Sequence, residues 1–180
     1  MSLLLLCGPK HSGKTSAGLA LRDLLGSDFV DVDALIEEQE GVSPRALYRQ
    51  GDTFFKEAEA RAITSIMETA EAGGTLVVAA GGGLIDNEAA MGAVDGRAVL
   101  VFLEVSAATA WNRIKAAARI GGGLPAFLDA EDPEASHAAL HERRAAAYKK
   151  RAHITIDAGG KSPQQIALQI MRQIAEASHA

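Results

Sequence analysis

The segment GPKHSGKT, residues 8–15, follows the apolar run LLLLC (3–7) and leads into a helical pattern. It matches G-x-x-x-x-G-K-[ST] in the strand–loop–helix setting that a phosphate-binding loop requires. In such a loop Gly8 and Gly13 let the chain turn so that backbone N–H groups face phosphate oxygens, and the following helix adds its dipole. Lys14 then reaches the β- and γ-phosphates, the Thr15 hydroxyl is a Mg²⁺ ligand, and His11, Ser12 and Ser16 complete the wall of a nucleotide site. The competing reading is a glycine-rich turn with an incidental lysine. His11 stands where many such loops carry a small residue, and its ring is read either as solvated or as touching a phosphate.

A second pair of candidates lies in FVDVDALIEE (29–38), where Asp31 and Asp33 sit two apart at the end of an apolar run. On a strand, residues i and i+2 share a side, and two carboxylates there repel unless a cation, a proton or water separates them. One reading is a solvated turn in which Asp33 caps the next helix. The other divides the pair between a metal and an acceptor hydroxyl. No N-K-x-D signature is present, and no apolar strand ends in Asp-Glu; LVFLEV has a lone Glu104. These absences lower the readings of a GTPase and an ATPase motor and leave a small-molecule kinase.

Apolar runs at 3–7, 29–32, 75–80, 98–105 and 153–157 read as parallel strands covered on both faces. Between them the periodicity predicts helices at about 14–25, 34–40, 44–50, 54–72, 87–93, 106–118, 131–150 and 162–178. Alternation of this kind implies a three-layer α/β/α sandwich around a five-stranded parallel sheet, with 1–180 as one domain. RIGGGLPAFLDA (119–130) breaks the helical pattern with three glycines and a proline. It reads as an ordinary surface loop or as a mobile lid that closes over a nucleotide.

With 18 basic and 23 acidic residues the net charge is −5, and no block of like charge appears. That balance argues against nucleic acid as a partner, which needs a basic surface. MSLLLLCG is too short, and lacks a preceding basic residue, for a signal-peptide core, and no later stretch suggests a membrane span. Cys7 is the sole cysteine, which excludes an intrachain disulfide and a cysteine metal cluster. A cytoplasmic location and a monomer are the default expectations.

GPKHSGKT, FVDVDALIEEQEG, GDTFFKEAEARAI, VVAAGGG and ERRAAAYKKRAHITID, in this order and spacing, resemble the shikimate kinase family of P-loop proteins. The resemblance covers nearly the whole chain. It implies a P-loop NTPase-type fold, ATP and Mg²⁺, a small hydroxy acid such as shikimate, and an acceptor region in the helices at about 33–72. Carried over by residue, it makes Asp31 the metal-side acid and Asp33 the group that binds the acceptor hydroxyl and helps take its proton. Gly81, Gly82 and Gly83 would lie against the acceptor, and Arg144 would bind its carboxylate. Arg113 would stack on adenine, with Pro163 in the loop covering the other face.

Two departures stand out. Lys56 occupies a position where the family has a carboxylate-gripping arginine, although Glu59 is retained; a lysine offers a point charge and no planar fork. Leu124, in LPAF, stands where the family's lid has an arginine, and Arg119 is the nearby residue left as a catalytic substitute. A smaller one is Ala146, in a stretch where the family often has proline. They keep two alternatives open: a kinase for another sugar acid or polyol, and a nucleotide-binding regulator with weak catalysis.

Overall fold

The computed structural model describes residues 2–70, 74–120, 123–125, 128 and 130–177. Five parallel strands, β1 (Ser2–Cys7), β2 (Asp28–Asp31), β3 (Thr75–Ala79), β4 (Val99–Glu104) and β5 (Ile154–Asp157), form one sheet in the order β2-β3-β1-β4-β5. The helices are α1 (Lys14–Leu25), α2 (Val32–Glu40), α3 (Pro44–Gln50), α4 (Asp52–Ala70), α5 (Glu88–Val94), α6 (Ala107–Ile120), α7 (Pro133–Arg151) and α8 (Pro163–Ala177). A single 3₁₀ turn spans Leu84–Asp86. The expected three-layer α/β fold is thus observed. The 119–130 segment expected as a lid is described only in part; 121, 122, 126, 127 and 129 lie outside the described residues.

The apolar runs are continuous because successive side chains serve two cores. In β1, Leu3, Leu5 and Cys7 join α2, α3, α4, α5 and α7, while Leu4 and Leu6 join α1 and α8. Val78 and Phe102 take the first side, and Val77, Val101 and Leu103 the second. The edge strands behave differently. Aside from its first residue, which is exposed, β2 is only half-buried, and β5 alternates between buried and exposed residues. A small third cluster joins Trp111 and Ile114 of α6 to Leu128, with Leu124 packed on it.

The two acids do not share a strand. β2 ends at Asp31, and Asp33 already lies in the first turn of α2. The helix starts early because Asp31, not Asp33, is its cap: its side chain accepts the N–H groups of Asp33 and Ala34. A strand-to-helix turn therefore brings the acids together. Packing then brings Asp31 toward α1. Gly18 faces Phe29 of β2 so closely that a Cβ there would lie 2.5 Å from the ring, which lets α1 approach the edge strand.

After β3 the chain crosses from one side of β1 to the other, and open α/β sheets bind ligands beyond the strand ends at such a switch. The phosphate loop, Asp31 and the three glycines leave the carboxyl ends of β1, β2 and β3.

Candidate active site

The loop after β1 is built around left-handed backbone positions. Gly8 has φ 142°, and a Cβ there would lie 2.5 Å from the Leu103 carbonyl oxygen. Gly13, at φ 96°, caps α1. His11 adopts φ 60°, the one positive-φ non-glycine among the described residues. Such strain clusters where a loop must present its backbone to a ligand. Lys14 Nζ donates to the carbonyls of Gly8 at 3.1 Å and Pro9 at 2.9 Å. Burial pushes its pKa down to about 8, against the pull of the Asp33 carboxylate. An anion beside this amine would raise its pKa again. Desolvation also lowers the His11 pKa, followed by the charges of Lys10, Lys14 and Arg113. Ser12 is buried beneath the loop, and its hydroxyl has no hydrogen-bond partner.

Beside the loop, Thr15 Oγ1 donates to Asp31 Oδ2 at 2.7 Å. Asp31 Oδ1 accepts from Asp33 N at 3.0 Å and Ala34 N at 3.4 Å. A hydroxyl and a carboxylate form an oxygen-only donor pair, which suits Mg²⁺. No group of three or more His, Cys, Asp or Glu side chains able to hold a metal occurs among the described residues. A cation here would complete its shell with phosphate oxygens and water, as Mg²⁺ does beside nucleotides. Asp33 opens onto the same cleft. Desolvation by its surroundings and then the Asp31 charge raise its pKa, while Lys14 and Lys10 oppose them.

The turn after β3 joins this end to a second one. A Cβ on Gly82 would lie 3.0 Å from Lys10 N in the phosphate loop. One on Gly81 would lie 2.9 Å from Glu59 Oε1 and 3.4 Å from Asp33 Oδ1, and one on Gly83 3.2 Å from Arg144 Nη2. Only glycine admits all three approaches without displacement. Glu59, 1% exposed, accepts from Asn87 Nδ2 at 3.0 Å through Oε2, while Oε1 has no partner. Burial raises its pKa to about 7, opposed by the Asn87 hydrogen bond. Lys56 pairs with Asp52 at 2.6 Å. Arg144 Nε donates to Asp86 Oδ2 at 2.8 Å, and Arg143 grips the same carboxylate at 2.7 and 2.9 Å.

One cavity of about 1190 Å³ connects the two ends. Its lining includes the predicted His11, Gly13, Lys14, Thr15, Ser16, Asp31, Asp33, Lys56, Gly81, Gly82, Gly83, Arg113 and Arg144. Gly8 and Ser12 support the loop from beneath without lining the cavity. Arg113 donates to the His11 carbonyl at 2.8 Å, which ties α6 to the loop.

Arg119 and Pro163 stand apart. Arg113, Ile114, Ala117 and Ala118 line the cavity on one face of α6, and Arg119 is on a different, exposed face of the last turn. Pro163 opens α8, which packs under the sheet, and it does not reach the cavity lining. Leu124 turns its side chain to the Trp111 cluster, and its carbonyl accepts from Arg45 at 3.4 Å.

Asp86, Arg143, His137 and His141 also line the cavity without having been predicted. Stepping back along α7 from Arg144 by three and then four residues reaches His141 and His137, so helical spacing carried a readable signal for both. Their rings lie 5.6 Å apart, and His137 is tilted on Trp111 at 5.4 Å.

The phosphate loop and the glycine turn after β3 share one cavity above a β2-β3-β1-β4-β5 parallel sheet. Together they define a P-loop kinase that acts on a small molecule. The family model described as shikimate kinase matches residues 10–175, so the chain belongs to the shikimate kinase family, a family of ATP-dependent kinases. A shikimate kinase from Sulfurihydrogenibium sp. is 34% identical over 175 residues, covering 97% of this chain and 98% of that protein. One from Ruegeria pomeroyi is 30% identical over 173 residues, covering 96% and 84%. The structure of an Acinetobacter baumannii shikimate kinase in complex with shikimate superposes with a TM-score of 0.86 at 25% identity, covering 98% of this chain and 94% of that one. No helix among the described residues is long and apolar enough to cross a membrane.

Proposed function

We propose that this chain transfers the γ-phosphoryl group of ATP to a ring hydroxyl of shikimate. The observation that carries the proposal is the glycine turn, which touches the phosphate loop at Gly82, Asp33 and Glu59 at Gly81, and Arg144 at Gly83. It sets the phosphate and acceptor ends side by side.

Lys14 holds the β- and γ-phosphate oxygens, and its positive charge stabilises charge that develops during transfer. Thr15 and Asp31 would hold Mg²⁺, which supplies further neutralisation of the phosphates when bound. Asp33 accepts the acceptor's hydroxyl proton as that oxygen forms its bond to phosphorus and the bridging bond to ADP breaks. Its raised pKa suits it to take a proton better than an ordinary surface aspartate would. Arg144 and Lys56 face the acceptor's carboxylate. Arg113 lies toward the base. Much of the rate then comes from positioning. The chain acts as a monomer in the cytoplasm.

The test is turnover. Purified protein is incubated with MgATP and, separately, shikimate, other sugar acids and polyols, while ADP release is followed. Rapid release with shikimate alone supports the proposal. Selective turnover of another acceptor contradicts it and favours the second reading, which rests on Lys56 being paired to Asp52 in place of a forked arginine.

A further inference from the structure

The arginine assigned to the acceptor carboxylate carries a partner of its own. Asp86 ends the 3₁₀ turn that begins just after Gly83, so one short segment supplies both the glycine wall and an acid. Its carboxylate receives three hydrogen bonds from two guanidinium groups on adjacent residues of α7. Arg143 takes both oxygens from the outer side, and Arg144 reaches Oδ2 through Nε. The turn is also fastened to α7 by Ile85 N, which donates to the Tyr148 hydroxyl at 3.1 Å. Burial works against the Asp86 charge, yet the two arginines outweigh it and hold its pKa below the ordinary value.

Resting on the shikimate reading above, we propose that Asp86 is a positioning residue for carboxylate recognition. It anchors Arg144 by Nε, and this places both Nη atoms against Gly83 at the cavity wall. Arg143 acts one step further out, by fixing Asp86. Two features separate this from an ordinary surface pair. Arg143 is 58% exposed, but Asp86 is only 18% exposed and Arg144 22%, so the inner contact is largely shielded from water. Without Asp86, moreover, the two guanidinium groups on neighbouring residues would lose the carboxylate they share. Arg144 would then swing away from Gly83, and an arginine out of plane loses its advantage over a point charge.

The inference is tested with Asp86→Asn, which keeps shape and removes charge. Steady-state constants are measured for shikimate, for its uncharged methyl ester and for ATP. The expected result is a shikimate KM raised about tenfold, the size of one lost charge-assisted hydrogen bond. The preference for shikimate over its ester should shrink by a similar factor, with the KM for ATP unchanged. A shikimate KM that is unchanged or lowered overturns the inference, as does one that rises in step with the KM for ATP. Should that variant not fold, Arg143→Ala carries the test, with a smaller rise in shikimate KM expected and no rise contradicting it. Failure of the wild-type protein to turn over shikimate would instead sink the functional reading on which the inference rests.

Discussion

Asp31 accepts the backbone N–H of Asp33 at 3.0 Å, so the first acid of the pair caps the helix that carries the second. Its other oxygen receives the Thr15 hydroxyl at 2.7 Å. One carboxylate thus starts α2, aims Asp33 into the cavity and completes the oxygen pair suited to Mg²⁺.

That double use separates two substitutions. Asp31→Asn keeps a side-chain acceptor for the cap, so its melting temperature should stay close to wild type while the Mg²⁺ concentration for half-maximal activity rises. Asp31→Ala should show the same metal defect and lose about 1 kcal/mol of stability besides. Thermal melts and Mg²⁺ titrations of both variants check this. An Asn variant with unaltered Mg²⁺ dependence would remove Asp31 from the metal side.

Lys14 predicts a pH effect on ATP binding. The empty site holds its pKa near 8, and bound phosphate raises it, so binding above that pH must take up a proton. ATP affinity should fall about tenfold between pH 7 and pH 9, one pKa unit past the midpoint. Calorimetry in buffers of different ionisation enthalpy would detect the proton uptake at pH 9. Affinity independent of pH over this range would contradict the assignment.

Glu59 predicts a pH effect on stability. Its carboxyl ionises near 4.5 when unfolded and near 7 when folded, because burial favours the neutral form. The folded state therefore holds the proton more tightly. This contribution is full below about pH 4.5 and is lost as the pH rises through about 7, by about 3 kcal/mol in all. Glu59→Gln has no such charge and should overtake wild type in urea denaturation at pH 8, but not at pH 4. Parallel pH profiles for the two proteins would contradict the buried, neutral-preferring carboxyl.

Lys56→Arg tests the acceptor end. An arginine can keep the pairing with Asp52 and add a planar fork for a carboxylate. The shikimate KM should fall severalfold with kcat little changed. A raised KM would show that Lys56 reads a different group.

Much of this site was legible in the sequence, for local reasons. GPKHSGKT is contiguous, and its glycines and lysine act through the backbone that joins them. Asp31 and Asp33 stand out by type and spacing and both line the cavity, but strand pleating is not what brings them there, because a cap ends the strand between them. Asp86 was out of reach. Its partners lie 57 and 58 residues away, and nothing local distinguishes it from a surface aspartate. The burial of Glu59 was hidden as well, since a helical glutamate ordinarily faces water, and here α4 turns it toward the glycine turn. Arg119 is near Leu124 in sequence, whereas helical phase places it off the cavity face.

In the proposed reaction one cavity joins ATP to shikimate for direct transfer. Phosphorus NMR of the protein with MgATP and shikimate tests it most directly. Direct transfer gives loss of the γ-phosphate signal with matching growth of ADP and of a phosphate monoester of shikimate. Growth of inorganic phosphate alone, or an unchanged ATP spectrum, would contradict it.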